Sequence, residues 1–189
     1  RSSNPTRQDL EEHLAAIEGG SHAIAFSSGM ASADSCMKLL CQGDHVVCCD
    51  DVYGGTARLF NNLMTNYGVE FTYVDSQDST NVESAIRPET KMVWVETPTN
   101  PLLKITDLEA VGKIAKSSNL LYVVDSTFAT PVFLRPLEYG ADLVLHSTTK
   151  YLSGHNQIIG GVIVTNRTDL YESLKYIQKS VGAVPSPFD

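Results

Sequence analysis

Seven short apolar runs, at residues 23–26, 46–49, 71–74, 92–95, 120–124, 143–145 and 162–164, set most of what this chain can become. They are apolar at successive rather than alternate positions, so both faces of each strand need cover. Helical patterns fill intervals between them at 31–40, 57–67, 82–86 and 108–115, and another follows at 170–177. Strand and helix in repeated alternation build a mostly parallel sheet with helices on both faces. The interval from 145 to 162 holds loop residues and no helical pattern, so the last strand is predicted to pair antiparallel. A further helix opens the chain. Asn4 caps it, Pro5 takes the first position, where a missing N–H costs little, and Gly19-Gly20 stops it. Leu10, Leu14 and Ile17 fall on one of its faces. The class is α/β and doubly wound, and such sheets bind ligands outside the carboxyl ends of their strands.

Composition narrows the partners. With 189 residues and 42% hydrophobic content the chain is one domain, or one domain cut from a longer polypeptide, and disorder is excluded. A formal charge of -8 disfavours nucleic acid, whose phosphates need a basic face. No apolar run approaches the ~20 residues of a membrane span, and no basic-then-apolar leader is expected at Arg1. Cys36, Cys41, Cys48 and Cys49 contain no Cys-x-x-Cys pair, and Cys48-Cys49 interrupts an apolar run as buried thiols do in a reducing compartment. A cytoplasmic location is expected. The opening at Arg1, without Met, reads as a fragment.

Reactive residues gather at the strand ends. Ser27-Ser28-Gly29-Met30 follows the first run, Asp50-Asp51-Val52-Tyr53-Gly54-Gly55-Thr56 the second, Glu96-Thr97-Pro98-Thr99-Asn100-Pro101 the fourth. Asp125-Ser126-Thr127-Phe128 follows the fifth and His146-Ser147-Thr148-Thr149-Lys150 the sixth. Neither a Gly-x-Gly-x-x-Gly nor a Gly-x4-Gly-Lys-Ser/Thr motif is present, so dinucleotide and P-loop readings fail. Ser27-Ser28-Gly29-Met30 is either a single-phosphate cup at a helix start or an ordinary strand-to-helix turn. Lys150 is either a surface lysine or, beside the hydroxyls of a buried strand's end, a nucleophilic amine. Asp125 needs a cationic or proton-donating partner if buried; capping a helix or holding a metal are the other fates of such an acid. Tyr53 either packs on the next helix or faces a ligand, with Gly54-Gly55 letting the backbone turn close. A lysine able to form a Schiff base, an acid for a pyridinium N–H, a phosphate cup and a tyrosine ring together suit pyridoxal 5′-phosphate (PLP).

The three segments from Asp51 to Thr56, Glu96 to Pro101 and Ser147 to Lys150, in this order and at these spacings, resemble the Cys/Met-metabolism family of PLP enzymes. The likeness runs from Arg1-Ser2-Ser3-Asn4-Pro5-Thr6 through Gly182-Ala183-Val184-Pro185-Ser186-Pro187-Phe188-Asp189. It implies the large domain of a fold type I (aspartate-aminotransferase-like) enzyme over residues 1–189, with most of an N-terminal arm and a smaller C-terminal domain outside the chain. By that resemblance Lys150 is the lysine bonded to the cofactor and Asp125 the partner of its pyridine nitrogen. Gly29 and Met30 offer N–H groups to the phosphate, and Ser147 and Thr149 add hydroxyls. Tyr53 stacks on the ring and serves as acid/base, Asn100 lies by the 3′-oxygen, and Thr127 sits beside the ring. Arg1 reaches the phosphate of a neighbouring subunit, implying a dimer pair within a tetramer. Glu96 and Arg58 stand at the substrate edge, or pair with each other. No metal is implied.

The implied reaction is cleavage of cystathionine by γ-elimination to cysteine, 2-oxobutyrate and ammonia. The stretch Val181-Gly182-Ala183-Val184-Pro185-Ser186-Pro187 favours it. Addition of cysteine to an O-acyl homoserine is the alternative, and a non-catalytic subunit on the same scaffold is a third reading. The substrate is then a sulfur amino acid, with no nucleic acid or membrane involved. Three departures stand out. Ser126 replaces the commoner Asn, Gly154-His155-Asn156-Gln157 replaces the usual Gly-His-Ser-Asp, and Gly55 stands where a methionine-cleaving branch carries a reactive Cys.

Overall fold

In the computed structural model, which describes residues 3–188, the strands are β1 (His22–Phe26), β2 (His45–Cys49), β3 (Glu70–Val74), β4 (Thr90–Glu96), β5 (Leu121–Asp125), β6 (Leu143–His146) and β7 (Gly161–Thr165). They form one sheet in the order β1-β7-β6-β5-β4-β2-β3. β2 to β6 run parallel, and β7 is antiparallel to both β6 and β1, as the missing crossover helix requires. Winding proceeds from β4 toward β5 and β6 on one side and from β2 toward β3 on the other. A crevice therefore opens between the carboxyl ends of β2 and β4.

The helices are α1 (Pro5–Glu18), α2 (Gly29–Met37), α3 (Gly54–Asn62), α4 (Ser79–Ser84), α5 (Leu108–Ser117), α6 (Thr130–Phe133) and α7 (Thr168–Val181). Side chains alternate across the sheet into two cores. Val46, Cys48, Trp94, Val123, Leu145 and Ile163 pack with Cys36, Met37, Phe60 and Leu174 on one face. Val47, Val93, Val95, Val124 and Val144 pack with Val111 of α5 and Tyr122 on the other. Both faces are thus covered, which is why the runs lack polar alternation.

The first helix departs from its apolar pattern. Asn4 caps it, accepting from the Arg7 N–H at 3.2 Å, and Gly19 ends it at φ 76°. Yet Leu10 and Ile17 are 47% and 44% exposed, while Arg7, Glu11, Leu14, Ala15 and Glu18 are buried. The polar side chains go inward because they have partners there. Glu11 Oε1 accepts the Ala25 N–H at 2.9 Å, and its Oε2 meets Lys175 Nζ at 2.9 Å. Gln178 of α7 donates to the Ala25 carbonyl, so both backbone groups of this β1 residue are satisfied by side chains. Glu18 Oε2 meets His146 Nε2 at 2.7 Å, a buried pair tying α1 to the end of β6.

Other boundaries move by a few residues. Ser28 caps α2 through the Ala31 N–H, so that helix starts at Gly29 and ends at Met37 rather than spanning 31–40. The 57–67 pattern breaks at Leu63 into α3 and a 3₁₀ turn (Met64–Tyr67). Asp78 caps α4 and shifts it to Ser79–Ser84 from the expected 82–86.

Candidate active site

A cavity of about 400 Å³ opens at the carboxyl ends of the strands and is lined by Gly29, Met30, Tyr53, Glu96, Asn100, Asp125, Thr127, Ser147, Thr149 and Lys150. Its size is that of a small-molecule site. Of the residues singled out above, Arg58 does not line it, and Arg1 lies outside the described residues. Phe128 and Ile159 also line it. Phe128 stands at a strand end, a usable signal; Ile159 lies in a loop with none.

One end of the cavity is built for an anion. α2 begins there, and Ser28 takes up the Ala31 and Ser32 N–H groups through its side chain and carbonyl, at 3.0 and 3.1 Å. The N–H groups of Gly29 and Met30, in the first turn, have no partner among the described residues. A Cβ on Gly29 would stand 2.8 Å from Ser147 Cβ and 3.0 Å from Ser147 Oγ, so only glycine lets this helix start approach the end of β6. Ser147 Oγ has no hydrogen-bond partner among the described residues. Thr149 Oγ1 is engaged with Gly160, donating to its carbonyl at 3.2 Å and accepting its N–H at 3.0 Å.

Another wall carries Asp125, buried at the end of β5. Its Oδ1 accepts from the N–H and Oγ1 of Thr127, at 3.0 and 2.6 Å. Thr127 Oγ1 in turn accepts the Ser147 N–H at 2.9 Å, so Thr127 orients the acid and joins it to the anion end. Asp125 Oδ2 has no partner among the described residues. Burial raises the carboxyl's pKa, only partly offset by the Thr127 hydrogen bonds and the nearby His146. Such a group is stabilised by a cation or a proton brought in from the cavity.

Tyr53 lies at the mouth, 44% exposed. Gly54-Gly55 does not supply a left-handed turn; both residues begin α3 with ordinary φ. What Gly55 supplies is room, since a Cβ there would lie 2.3 Å from Tyr53 Cε1. Glu96, at the end of β4, makes no ion pair with Arg58 among the described residues. Instead its Oε2 accepts the Tyr53 N–H and its Oε1 the Asn100 N–H, each at 2.8 Å. Its carboxyl is pushed up to about 8, first by burial and then by the charge of Asp125, against the pull of those two N–H donors. Lys150 follows β6 and is exposed to the cavity, with no ion pair among the described residues.

Among the described residues, an uncommitted helix start, an acid open on one oxygen, a lysine without an ion pair and a half-exposed phenol ring fit PLP. The described residues contain no group of three or more His, Cys, Asp or Glu placed to hold a metal ion, and no helix long and apolar enough to cross a membrane.

Comparison with known proteins points to the same cofactor. The profile of the family described as Cys/Met metabolism PLP-dependent enzyme matches residues 1–189. A protein of Herpetosiphon aurantiacus named probable cystathionine gamma-synthase is 49% identical over 189 residues, covering 100% of this chain and 59% of the relative. The cystathionine gamma-lyase of Bacillus subtilis is 51% identical over 189 residues, covering 100% of this chain and 50% of the relative. The crystal structure of cystathionine gamma-lyase from Lactobacillus plantarum complexed with L-serine superposes with a TM-score of 0.98 at 44% identity, over 99% of this chain and 49% of that one. The chain thus spans about half the length of the curated relatives it matches.

Proposed function

Because the chain belongs to the Cys/Met metabolism PLP-dependent enzyme family, we propose that it is the cofactor-holding large domain of a carbon–sulfur lyase of trans-sulfuration. The finer reading is γ-elimination of cystathionine to cysteine, 2-oxobutyrate and ammonia. The observation that carries the cofactor site is Asp125, a buried carboxylate held on one oxygen by Thr127 and unpartnered on the other, in the cavity that Lys150 lines. Synthesis of cystathionine from an O-acyl homoserine and cysteine is the second reading, favoured by the relative named as a synthase.

When bound, PLP supplies an electron sink for charge developing at the substrate Cα. The chain's own groups do the rest. The N–H groups of Gly29 and Met30 and the hydroxyl of Ser147 would hold the phosphate; Thr149 would join them by turning its hydroxyl away from the Gly160 carbonyl. Asp125 keeps a proton on the ring nitrogen, and Thr127 keeps Asp125 aimed. Asn100, which lines the cavity, would sit by the 3′-oxygen. Lys150 Nζ would hold the cofactor at rest and, when free, would take and return protons at the substrate Cα and Cβ. Tyr53 would lay its ring on the cofactor and carry the proton for the departing sulfur. Arg58, exposed one turn into α3, meets substrate only at the outer rim.

The assembly proposed is a homotetramer in which Arg1 serves a neighbouring subunit's phosphate, located in the cytoplasm. Free cysteines, three of them buried, support a reducing compartment. Borohydride treatment of the PLP-loaded full-length protein is expected to fix the cofactor on the peptide bearing Lys150; label elsewhere, or none, overturns the cofactor site. Assays with cystathionine, and with O-acyl homoserine plus cysteine, separate the two reactions.

A further inference from the structure

Glu96 sits at the crevice where the sheet's winding reverses, only 5% exposed and without an ion pair among the described residues. A buried carboxyl group in that position must be held by hydrogen bonds. It is held by two backbone N–H groups, those of Tyr53 and Asn100, each at 2.8 Å and each on its own oxygen. The two donors belong to different loops, the one between β2 and α3 and the one between β4 and α5. A second carboxylate ties the same loops in the opposite direction. Asp51, two residues before Tyr53, takes the hydroxyl of Thr99 and the N–H of Leu102, the latter at 3.0 Å, on its Oδ2. The loops are therefore stitched twice, and Tyr53 and Asn100 are each caught by the backbone next to a side chain that lines the cavity.

We propose that Glu96 is a positioning residue which fixes the Tyr53 ring relative to Asn100, with Asp51 as the reverse tie. This rests on the reading that Tyr53 stacks on PLP and carries a proton. A role in binding the substrate fits less well, because both oxygens are already engaged by backbone N–H groups.

Glu96→Gln keeps the side chain's size and one acceptor oxygen but sets an NH₂ against one of the two N–H donors, releasing one loop. In the PLP-loaded full-length protein this variant is expected to keep its visible absorbance while the visible circular dichroism of the cofactor changes. Its kcat falls, on the order of 10–100-fold as for a misplaced reacting group, with KM for cystathionine nearly unchanged. Combining it with Tyr53→Phe adds little further loss, because the two act as one unit. Asp51→Asn, at a half-buried position, changes the dichroism in the same sense and gives the result if Glu96→Gln does not fold. Unchanged dichroism and kcat in the folded variants overturn the inference. So does a rise in KM with kcat intact and losses additive with Tyr53→Phe, which would place Glu96 on the substrate. A wild-type protein that takes up no PLP would sink the cofactor reading itself, a result visible before any variant is made.

Discussion

Tyr53 and Glu96 are proposed to divide the work at this site, one by its ring and proton and the other by its hold on two loops. Tyr53→Phe keeps the ring and deletes the proton, so the full-length protein is expected to retain cofactor while turnover drops by about 10²-fold or more, the range for one acid/base group. Equal, slight effects from Tyr53→Phe and Tyr53→Ala would return this side chain to mere packing. Glu96 leaves a mark on stability. Its folded pKa, about 8, lies above the ordinary value near 4.3 of an unfolded glutamate. Between those limits the unfolded chain releases the proton and the folded one keeps it, so ionisation favours unfolding. The contribution is complete below about pH 4.3 and is lost as pH rises through about 8. Urea midpoints of cofactor-free protein are therefore expected to fall less steeply over that window in Glu96→Gln than in the wild type; parallel curves would contradict this. The identities at the strand ends were legible in the sequence because an α/β sheet concentrates its chemistry there. The pairing was not. Glu96 reads as a partner for Arg58 by charge, whereas loop geometry gives it two backbone donors that no residue type announces.

At the scale of elements, the alternation of runs was enough to yield the parallel sheet and the antiparallel last strand. It misled on α1, whose inward face carries Arg7, Glu11 and Glu18. Hydrophobic periodicity is blind to a helix that buries ion pairs, because the partners sit in β6 and α7, far along the chain. Glu18 and His146 are both 1% exposed, and the pair holds α1 against the strand that leads into Ser147 and Lys150. Removing one partner of a buried hydrogen bond strands the other, so Glu18→Ala is expected to destabilise the full-length protein by about 1–3 kcal/mol in denaturant titration. Replacing both with apolar residues of similar volume should recover much of that loss. A single-variant loss no larger than that of an exposed pair would show that α1 is held by its other contacts.

The whole molecule is proposed to work as an assembly. Val132 and Phe133 of α6, 83% and 86% exposed, border a surface cavity with Ile17 and Tyr151. An apolar patch of this kind suits contact with another subunit. If Arg1 serves a neighbour's phosphate, mixing full-length Arg1→Ala with Lys150→Ala is expected to restore part of the activity, since one site in a mixed pair keeps both residues. Mixed oligomers without recovery would exclude the role in trans. The two borders of the sheet differ in a way that bears on this protein at high concentration. At β1, Glu11 and Gln178 already occupy the N–H and C=O of Ala25, and the neighbouring Ser27 N–H goes to the Ala183 carbonyl at 3.2 Å. A strand from a stranger molecule finds no template there. Fibre growth by strand addition would have to begin at β3, five residues long with Glu70 exposed, which is a short and charged foothold.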